Sequence, residues 1–251
     1  MRFYKIKELF ANIIFPPKCI SCHTLIDISQ NAWESDCICQ KCRQKFEIAK
    51  AKVCYDCNKS VSKCVCGIDK RGVDIDALPK VMFYSPDNES SVESKIIYAI
   101  KHKNDIRYAR FMADELAVSL SEYMLKEGID TTQCLFTFIP RRSVAICEDG
   151  FDQGERLATC LAKIMGTKKQ MKKLLVRRGG KEQKTLDSRA RKRNIKASVS
   201  LKKNASKYVV GKTLIVVDDL VTTGATLSVA KNLLSSAGAK RVICASVGRT
   251  S

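Results

Sequence analysis

The sequence predicts an α/β protein in which a mostly parallel sheet is flanked by helices, preceded by a small cysteine-rich domain. Two observations lead to this prediction. Nine of the thirteen cysteines lie between Cys19 and Cys66, and after Gly72 short apolar strand segments alternate with amphipathic helix segments. We therefore expect two domains, residues 1–75 and 76–251. No apolar run approaches the roughly 20 residues of a membrane-spanning helix, which excludes an integral membrane protein.

The first four regularly spaced cysteines have the pattern of a metal site. Cys19 and Cys22 form one Cys-x-x-Cys pair, Cys39 and Cys42 form another, and 16 residues separate the two pairs. A turn with two intervening residues can direct both sulfur atoms at one ion, about 2.3 Å from each. Four thiolates complete a closed tetrahedron, which is typical of structural rather than catalytic zinc. We therefore expect a four-cysteine zinc-ribbon domain.

A second cysteine group is less regular. Cys54 and Cys57 have the usual spacing, but Cys64 and Cys66 are separated by a single residue. Two ribbons in sequence is the first interpretation, and one zinc ion with free buried thiols in the second group is the alternative. Crossed pairing, in which the first pair of the chain shares a metal with Cys54 and Cys57, also stays open. The expectation is thus one or two structural Zn²⁺ ions.

The rest of the chain alternates predicted strands and helices. Apolar runs favour strands, and apolar residues at helical spacing favour helices. The predicted strands are 80–84, 134–139, 174–177, 197–201, 213–217 and 241–247, and the predicted helices are 90–103, 106–126, 153–165 and 225–237. Ligands of such folds bind beyond the carboxyl ends of the strands.

The first fifteen residues bear on location. They begin basic and become apolar, but charged residues interrupt the apolar stretch and no small-residue cleavage site follows. A short helix packed on the protein is the favoured interpretation, and a basic amphipathic helix on an anionic membrane surface is the alternative. We expect a cytoplasmic protein. The alternative is a cytoplasmic protein that contacts the inner face of the membrane. Clustered cysteines in that compartment favour metal over disulfides.

Positive charge is concentrated in one part of the chain. Residues 141–213 hold 21 basic and 6 acidic residues, so +15 of the net charge of +19 lies there. Within it, residues 168–212 hold 17 basic and 2 acidic residues. Such a segment can follow a phosphate backbone by electrostatic attraction. Tyr208 is its only aromatic residue, so we expect binding without sequence preference.

The stretch from Leu214 to Thr226 carries the clearest chemical signal. Four apolar residues precede Asp218 and Asp219, and a run of small and hydroxylated residues leads into a helix. Backbone N–H groups of such a turn, with the helix N-terminus behind them, can hold a phosphate. The two carboxylates suit ribose hydroxyls, directly or beside a bound Mg²⁺. A helix start capped by Thr222 or Thr223 is the alternative, but it leaves the acidic pair without partners.

This stretch resembles the phosphoribosyl-pyrophosphate motif of the type I phosphoribosyltransferases, which closes here in Thr-Thr-Gly-Ala-Thr. The whole chain resembles the ComF family of competence proteins: a cysteine ribbon, Ile139-Pro-Arg-Arg142, Gly150-Phe-Asp-Gln153, and then this loop. That family usually has Gly-Phe-Asn-Gln, so Asp152 is a departure. The single residue between Cys64 and Cys66 is a second departure. The resemblance implies a type I phosphoribosyltransferase-like fold and a role in DNA uptake during natural transformation.

Residue roles follow from the resemblance position by position. It implies that the acidic pair holds the ribose hydroxyls and that the following loop holds the 5-phosphate of phosphoribosyl pyrophosphate, with Mg²⁺. It places pyrophosphate binding after the strand 134–139, and it implies that 179–194 is the loop that closes over the substrate. The implied ligands of phosphoribosyl pyrophosphate are Asp218, Asp219, Leu220, Val221, Thr222, Thr223, Gly224, Ala225, Thr226, Arg141 and Arg142.

Two functions from different classes follow. The first is a DNA-uptake protein that binds single-stranded DNA on the cytosolic side and meets other DNA-uptake proteins. Its expected DNA contacts are Arg177, Arg178, Lys181, Lys184, Arg189, Arg191, Lys192 and Arg193. The second is a salvage-type phosphoribosyltransferase that acts on a base or amine, for which the sequence identifies no catalytic base. A sensor that binds the sugar phosphate without turnover is a third interpretation.

Overall fold

A four-stranded parallel sheet forms the centre of the computed structural model, which describes residues 17–26, 37–70, 72–177 and 199–250. Its strand order is β3-β8-β7-β4. The strands are β1 Cys66–Lys70, β2 Val73–Ala77, β3 Lys80–Tyr84, β4 Cys134–Phe138, β5 Leu175–Arg177, β6 Val199–Leu201, β7 Thr213–Val221 and β8 Arg241–Thr250. The helices are α1 Gln40–Ala51, α2 Val92–His102, α3 Ile106–Lys126, α4 Ser143–Asp149, α5 Gln153–Ile164, α6 Ser206–Val209 and α7 Ala225–Ser236.

The central strand β7 separates two apolar cores. Its residues Leu214 to Val217 are all buried, and they alternate between the two faces of the sheet because successive strand side chains point in opposite directions. Ile215 and Val217 belong to the core formed with α2, α3 and α5. Leu214 and Val216 belong to the core formed with α7 and the hairpin β1–β2. Burial on both faces explains why this strand is a continuous apolar run in the sequence.

The cysteine-rich part packs through its helix α1 against α3, which lies on one face of the sheet. The rings of Phe46 on α1 and Phe111 on α3 lie 5.5 Å apart between centroids, and both are buried. Glu115 on α3 accepts from Arg43 at 2.9 Å and from Lys50 at 2.6 Å. An aromatic contact and a shared carboxylate therefore join α1 to α3.

The predicted fold class is confirmed: the sheet is parallel, helices flank it, and an N-terminal four-cysteine cluster is present. The predicted helices and strands appear with ends that differ by a few residues. One difference matters for the site, because β7 continues to Val221 instead of ending at Val217. It continues because β8 pairs with it as far as Val221↔Arg249.

Two further observations qualify the picture drawn from the sequence. The short strands β5 and β6 pair with each other in an antiparallel ladder and not with the central sheet.

The division at residue 75 stays a prediction, and the proposed helix of residues 1–15 lies outside the described residues. None of the helices in the described part of the chain has the length and apolar character needed to cross a bilayer.

Asp152 begins α5 and gives a test of this local structure. Its carboxylate accepts N–H bonds from Gly154 and Glu155 through Oδ1 and from Arg141 through Oδ2. We expect Asp152→Ala to lower the free energy of unfolding by about 1–2 kcal/mol, because it removes the N-cap. Asp152→Asn keeps the Oδ1 acceptor and should lower it less, as measured by urea denaturation. Equal decreases in both variants would contradict the capping role.

The raised pKa of Asp152 predicts how the free energy of unfolding changes with pH in the wild type and in the asparagine variant. Burial raises the pKa of Asp152, and the N–H bonds from Arg141, Glu155 and Gly154 offset this only in part. The carboxyl group is therefore harder to ionise in the folded chain, so the wild type loses stability as pH rises from the ordinary aspartate pKa through the raised one. The asparagine variant does not titrate there. Its stability relative to wild type should increase with pH over that range, and a decrease would contradict the raised pKa.

Candidate functional site

Two adjacent carboxylates occupy the carboxyl end of the central strand. Asp218 and Asp219 lie within the pairing of β7 with β8, where Asp218 faces Ser246 in register. Asp219 is buried, with 6% of its surface exposed. Each carboxylate accepts a backbone N–H from the next residue, at 2.9 Å in both cases. All four strands of the sheet end at this edge, where ligands of parallel sheets bind.

Groups from two helices partner Asp219. The Lys101 ammonium, from the last turn of α2, lies 3.6 Å from Asp219 Oδ2. Gln153, at the start of α5, donates from Nε2 to the same oxygen at 3.4 Å. The other amide atom of Gln153, Oε1, is buried and has no hydrogen-bond partner among the described residues. It is therefore an acceptor that a donor group of a ligand could satisfy.

The electrostatics of the acidic pair favour a cation or a hydroxyl-rich ligand. Burial raises the pKa of Asp218 well above its usual range, and the neighbouring Asp219 charge adds to this increase. Two carboxylates held this close are difficult to ionise together. A bound cation, or a pair of sugar hydroxyl donors, would relieve that repulsion.

The loop after the acidic pair is short and leads into α7. Thr222 and Thr223 are exposed, and Gly224 is the N-cap residue with φ of 75°. Gly224 has no side chain that could cap the helix, but the Thr223 hydroxyl accepts the Ala225 N–H at 3.4 Å. The first-turn N–H groups of α7 point toward the same edge of the sheet as the carboxylates. The alternative of a threonine at the helix start is therefore met in part, by Thr223.

Side chains of the hairpin β1–β2 pack against this loop at Gly224. A Cβ atom placed on Gly224 would lie 2.8 Å from Ile68 Cδ1 and 3.1 Å from side-chain atoms of both Val73 and Ile75. Lys231 of α7 donates to Asp76 of β2 at 2.8 Å. Gly224 is therefore required twice, for its left-handed backbone and for the close approach of the hairpin.

The two arginines predicted to bind pyrophosphate, Arg141 and Arg142, differ in their contacts and exposure. The Arg141 guanidinium pairs with Asp149 at 2.6 Å and donates to the Lys101 carbonyl at 3.1 Å, so it fastens α4 to the end of α2. Arg142 is exposed. Arg177, predicted as a DNA contact, is half-buried, and its Nε has no hydrogen-bond partner in the part of the chain that the structure describes. Burial and then the charge of Arg142 lower the pKa of Arg177, while the two aspartates act in the opposite direction. Arg142, Arg177 and the acidic pair are thus within electrostatic reach of one another.

Most of the predicted DNA contacts fall outside the described residues: Arg178, Lys181, Lys184, Arg189, Arg191, Lys192 and Arg193. A described basic surface flanks that gap, and we call it the Tyr208 surface. It surrounds a cavity of about 460 Å³. The ammonium groups of Lys172 and Lys207 lie 5.6 and 5.1 Å from the centroid of the Tyr208 ring. The other lysines that line it are Lys173, Lys202 and Lys203.

The cysteines form two four-sulfur clusters, and these follow the order of the chain. Cluster 1 is Cys19, Cys22, Cys39 and Cys42, and cluster 2 is Cys54, Cys57, Cys64 and Cys66. All ligand atoms within each cluster lie within 4.8 Å of one another, which fits tetrahedral coordination by sulfur at about 2.3 Å. Sequential pairing is therefore what the structure shows, and crossed pairing is wrong.

The thiols within the two clusters differ in acidity. Burial raises the pKa of Cys42 and of Cys66 to about 12, and neighbouring cluster cysteines add to the effect in both. In contrast, a hydrogen bond with the Thr24 hydroxyl lowers the pKa of the exposed Cys22 to about 6. A divalent ion would hold all four sulfurs as thiolates. Cys37 is buried but lies outside both clusters.

Sequence reasoning missed two partners of the acidic pair. Lys101 is one of many lysines in the sequence, and only the packing of α2 brings it to Asp219. Gln153 was visible as part of the motif around Asp152, but its amide contact was not. No described group acts as an evident catalytic base. The side chain of His102, in the last turn of α2, is 42% exposed and lies 3.4 Å from the Asp149 carboxylate.

Comparison with known proteins identifies the class of domain. Residues 154–249 match the family model of the phosphoribosyl transferase domain. The match begins at α5 and extends to β8, so it contains the acidic pair, the loop and α7. The chain therefore contains a phosphoribosyltransferase-type domain, matched over less than half of its length. The cysteine clusters lie outside the matched part.

One solved structure is similar to part of this chain. Phosphoribosylpyrophosphate synthetase from Mycobacterium smegmatis aligns with 61% of this chain at 19% identity and a TM-score of 0.30. The chain spans about half of that protein, since 51% of it is covered. A TM-score this low supports no conclusion about fold or activity. Comparison with curated protein sequences gives no match.

Gly224 provides a test of the contact between the hairpin and the loop. We expect Gly224→Ala to lower the free energy of unfolding by about 1–3 kcal/mol more than Gly166→Ala, because only Gly224 adds overpacking to backbone strain. The φ of Gly166 is 74°, and a Cβ there would meet nothing within 4 Å. Urea denaturation measures both decreases. Equal decreases would show that the hairpin does not constrain the loop.

Proposed function

We propose that the protein binds phosphoribosyl pyrophosphate at the carboxyl end of β7. One observation carries this proposal. The half-buried Asp218 and the buried Asp219 are followed, after residues 220–224, by the N-terminus of the twelve-residue helix α7. The carboxylates suit ribose hydroxyls, and the helix N-terminus suits a phosphate. The family match over the same residues supports the same ligand class.

Each group in the site has a role in this proposal. Asp218 and Asp219 hold the ribose hydroxyls, and the residues from Leu220 to Thr226 surround the 5-phosphate with N–H and hydroxyl donors. Arg142 and the half-buried Arg177 face the pyrophosphate. Arg141 acts indirectly, since its guanidinium holds α4 against α2.

Magnesium fits the oxygen donors of this site. The pair of carboxylates and the phosphate oxygens of the ligand are the donor types that Mg²⁺ prefers. When bound, the ion would neutralise charge on the pyrophosphate group. The protein's own arginines would also neutralise charge on that group.

The reaction that this site supports is phosphoribosyl transfer. The bond between C1 of the ribose and the pyrophosphate oxygen breaks, pyrophosphate leaves with the electron pair, and a base or amine acceptor attacks C1 and loses a proton. Arg142 and Arg177 stabilise the charge that develops on the leaving group. Lys101 and Gln153 keep Asp219 in place while the ribose changes its charge.

Single-stranded DNA binding is the second candidate function, and the Tyr208 surface favours it. Five lysines surround a ring that is 43% exposed, so a base can stack where the backbone meets positive charge. The resemblance to the ComF family of competence proteins points to the same ligand. In this proposal the protein handles DNA during uptake at the inner face of the membrane, together with other DNA-uptake proteins.

For the clusters we propose structural Zn²⁺ in both. Four cysteine sulfurs in each cluster leave no open coordination position for a substrate. Zinc then contributes to the folding of the residues around both clusters.

The acidic pair can be tested directly. Asp218→Asn with Asp219→Asn should abolish binding of phosphoribosyl pyrophosphate and Mg²⁺, as measured by isothermal titration calorimetry, because amides cannot replace the charges. The melting temperature should not fall, since the change removes a repulsion. Asp69→Asn with Asp87→Asn removes two exposed carboxylates elsewhere and should leave binding unchanged. Unchanged affinity in the first double variant would contradict the proposed site.

The Tyr208 surface can be tested by fluorescence anisotropy of a labelled single strand over a salt series. Lys172→Ala with Lys207→Ala should flatten the salt slope by about 0.7 for each DNA phosphate that the variant no longer neutralises. Tyr208→Ala should weaken binding by about 1–3 kcal/mol, and Tyr208→Phe should not. Lys41→Ala with Lys45→Ala removes the same charge from an exposed face of α1 and serves as the control. Equal effects of the two lysine pairs would contradict a specific surface.

A further inference from the structure

Lys80 is a buried lysine that no role described so far requires. It is the first residue of β3, and none of its surface is exposed. No carboxylate in the described part of the chain forms an ion pair with it. A buried ammonium without a counter-charge costs several kcal/mol or more, so such groups are nearly always paired.

The partners of Lys80 all lie at cluster 2 or beside it. Its Nζ donates to the Cys64 carbonyl at 3.0 Å, the Leu78 carbonyl at 3.1 Å, and the Cys66 carbonyl at 3.4 Å. It also donates to Cys64 Sγ at 3.3 Å. Carbonyl oxygens bear only partial charge. Among these four acceptors, only the sulfur of Cys64 can carry a full negative charge, and it does so as a metal-bound thiolate.

We propose that Lys80 is the counter-charge of cluster 2 and makes that cluster retain its metal longer than cluster 1. This rests on the proposed zinc occupancy of the clusters. Four thiolates around a divalent ion carry a net charge of −2, and the Lys80 ammonium compensates one of these charges inside the protein. A charge-assisted N–H···S hydrogen bond also lowers the electron density and nucleophilicity of the sulfur.

Cluster 1 lacks an equivalent group among the described residues. Its Cys22 is exposed, and the described hydrogen-bond partners of its sulfurs include the hydroxyls of Thr24 and Ser21 and the backbone N–H of Cys39. None of these groups carries a charge. An exposed thiolate without a compensating cation is the easier one for a chelator or an oxidant to attack. The two clusters should therefore release zinc at different rates.

The position of Lys80 also connects cluster 2 to the sheet. The backbone of Lys80 pairs with Ser246 of β8. Leu78 N–H donates to the Val65 carbonyl at 3.0 Å, between two cysteines of the cluster. Cys66 begins β1, the hairpin strand whose Ile68 packs on Gly224. Lys80 thus lies where the cluster, the sheet edge and the hairpin meet.

The experiment follows zinc release from the purified full chain with a chromogenic chelator. We expect two zinc ions for each chain and two kinetic phases. Cys22→Ser should remove the fast phase, and Cys57→Ser should remove the slow phase. Lys80→Met should accelerate the slow phase roughly 10- to 100-fold, the usual effect of removing an outer-shell partner. Lys63→Met removes an exposed charge next to Cys64 and should change neither phase.

A second variant separates charge from packing. Lys80→Gln keeps an N–H donor for the carbonyls but lacks the charge, so it should accelerate the slow phase as Lys80→Met does. In the cobalt-substituted protein, the sulfur-to-cobalt charge-transfer band of cluster 2 should shift in both variants. If Lys80→Met does not fold, the rate of the slow zinc-release phase in Lys80→Gln tests the proposal instead.

Specific results would overturn the inference. Wild-type release kinetics and an unshifted cobalt band in a folded Lys80→Gln variant would show that Lys80 only fills space. Equal acceleration by Lys63→Met would show a general charge effect. A stoichiometry of one zinc, absent from Cys22→Ser, would show that cluster 2 is empty, and would overturn the zinc proposal for that cluster as well.

Discussion

The close placement of two adjacent carboxylates, the half-buried Asp218 and the buried Asp219, at the end of the central strand is the constraint on which the site depends. Asp218 and Asp219 would repel each other strongly without compensation. Lys101 from α2 and Gln153 from α5 reach Asp219, and Arg177 from β5 contributes positive charge nearby. Elements that are distant in sequence therefore meet at one edge of the sheet. A ligand with hydroxyl groups and phosphates could bind both the carboxylates and the positive groups there.

A second constraint joins the cysteine-rich part to that edge. Ile68, Val73 and Ile75 of the hairpin pack where Gly224 lacks a side chain, and Arg249 at the end of β8 donates to the Gly67 carbonyl at 3.1 Å. The hairpin begins at Cys66 of cluster 2. The structural metal proposed for this cluster would add to folding free energy, and it would support the hairpin that packs on Gly224 without contacting a ligand.

Contacts that are local in sequence were predictable, and contacts between distant segments were not. The spacing of the first four cysteines predicted cluster 1, and the apolar run before Asp218 predicted the central strand. The end of β7 was placed too early because pairing with β8, not local propensity, extends it to Val221. Spacing alone could not decide the pairing of cluster 2. Nothing in the sequence distinguishes Lys80 or Lys101 from the other lysines, since only packing gives them partners.

Hydrogen–deuterium exchange of the wild-type protein, with and without phosphoribosyl pyrophosphate and Mg²⁺, tests the central claim most directly. A phosphate held by the loop and the first turn of α7 must occupy N–H groups that lack acceptors in the free protein. We expect slower exchange at residues 222–228 on addition of the ligand, with little change in the buried helix α3. Unchanged exchange at 222–228 under saturating ligand, or protection confined to other segments, would contradict the assignment of this loop as the phosphate site.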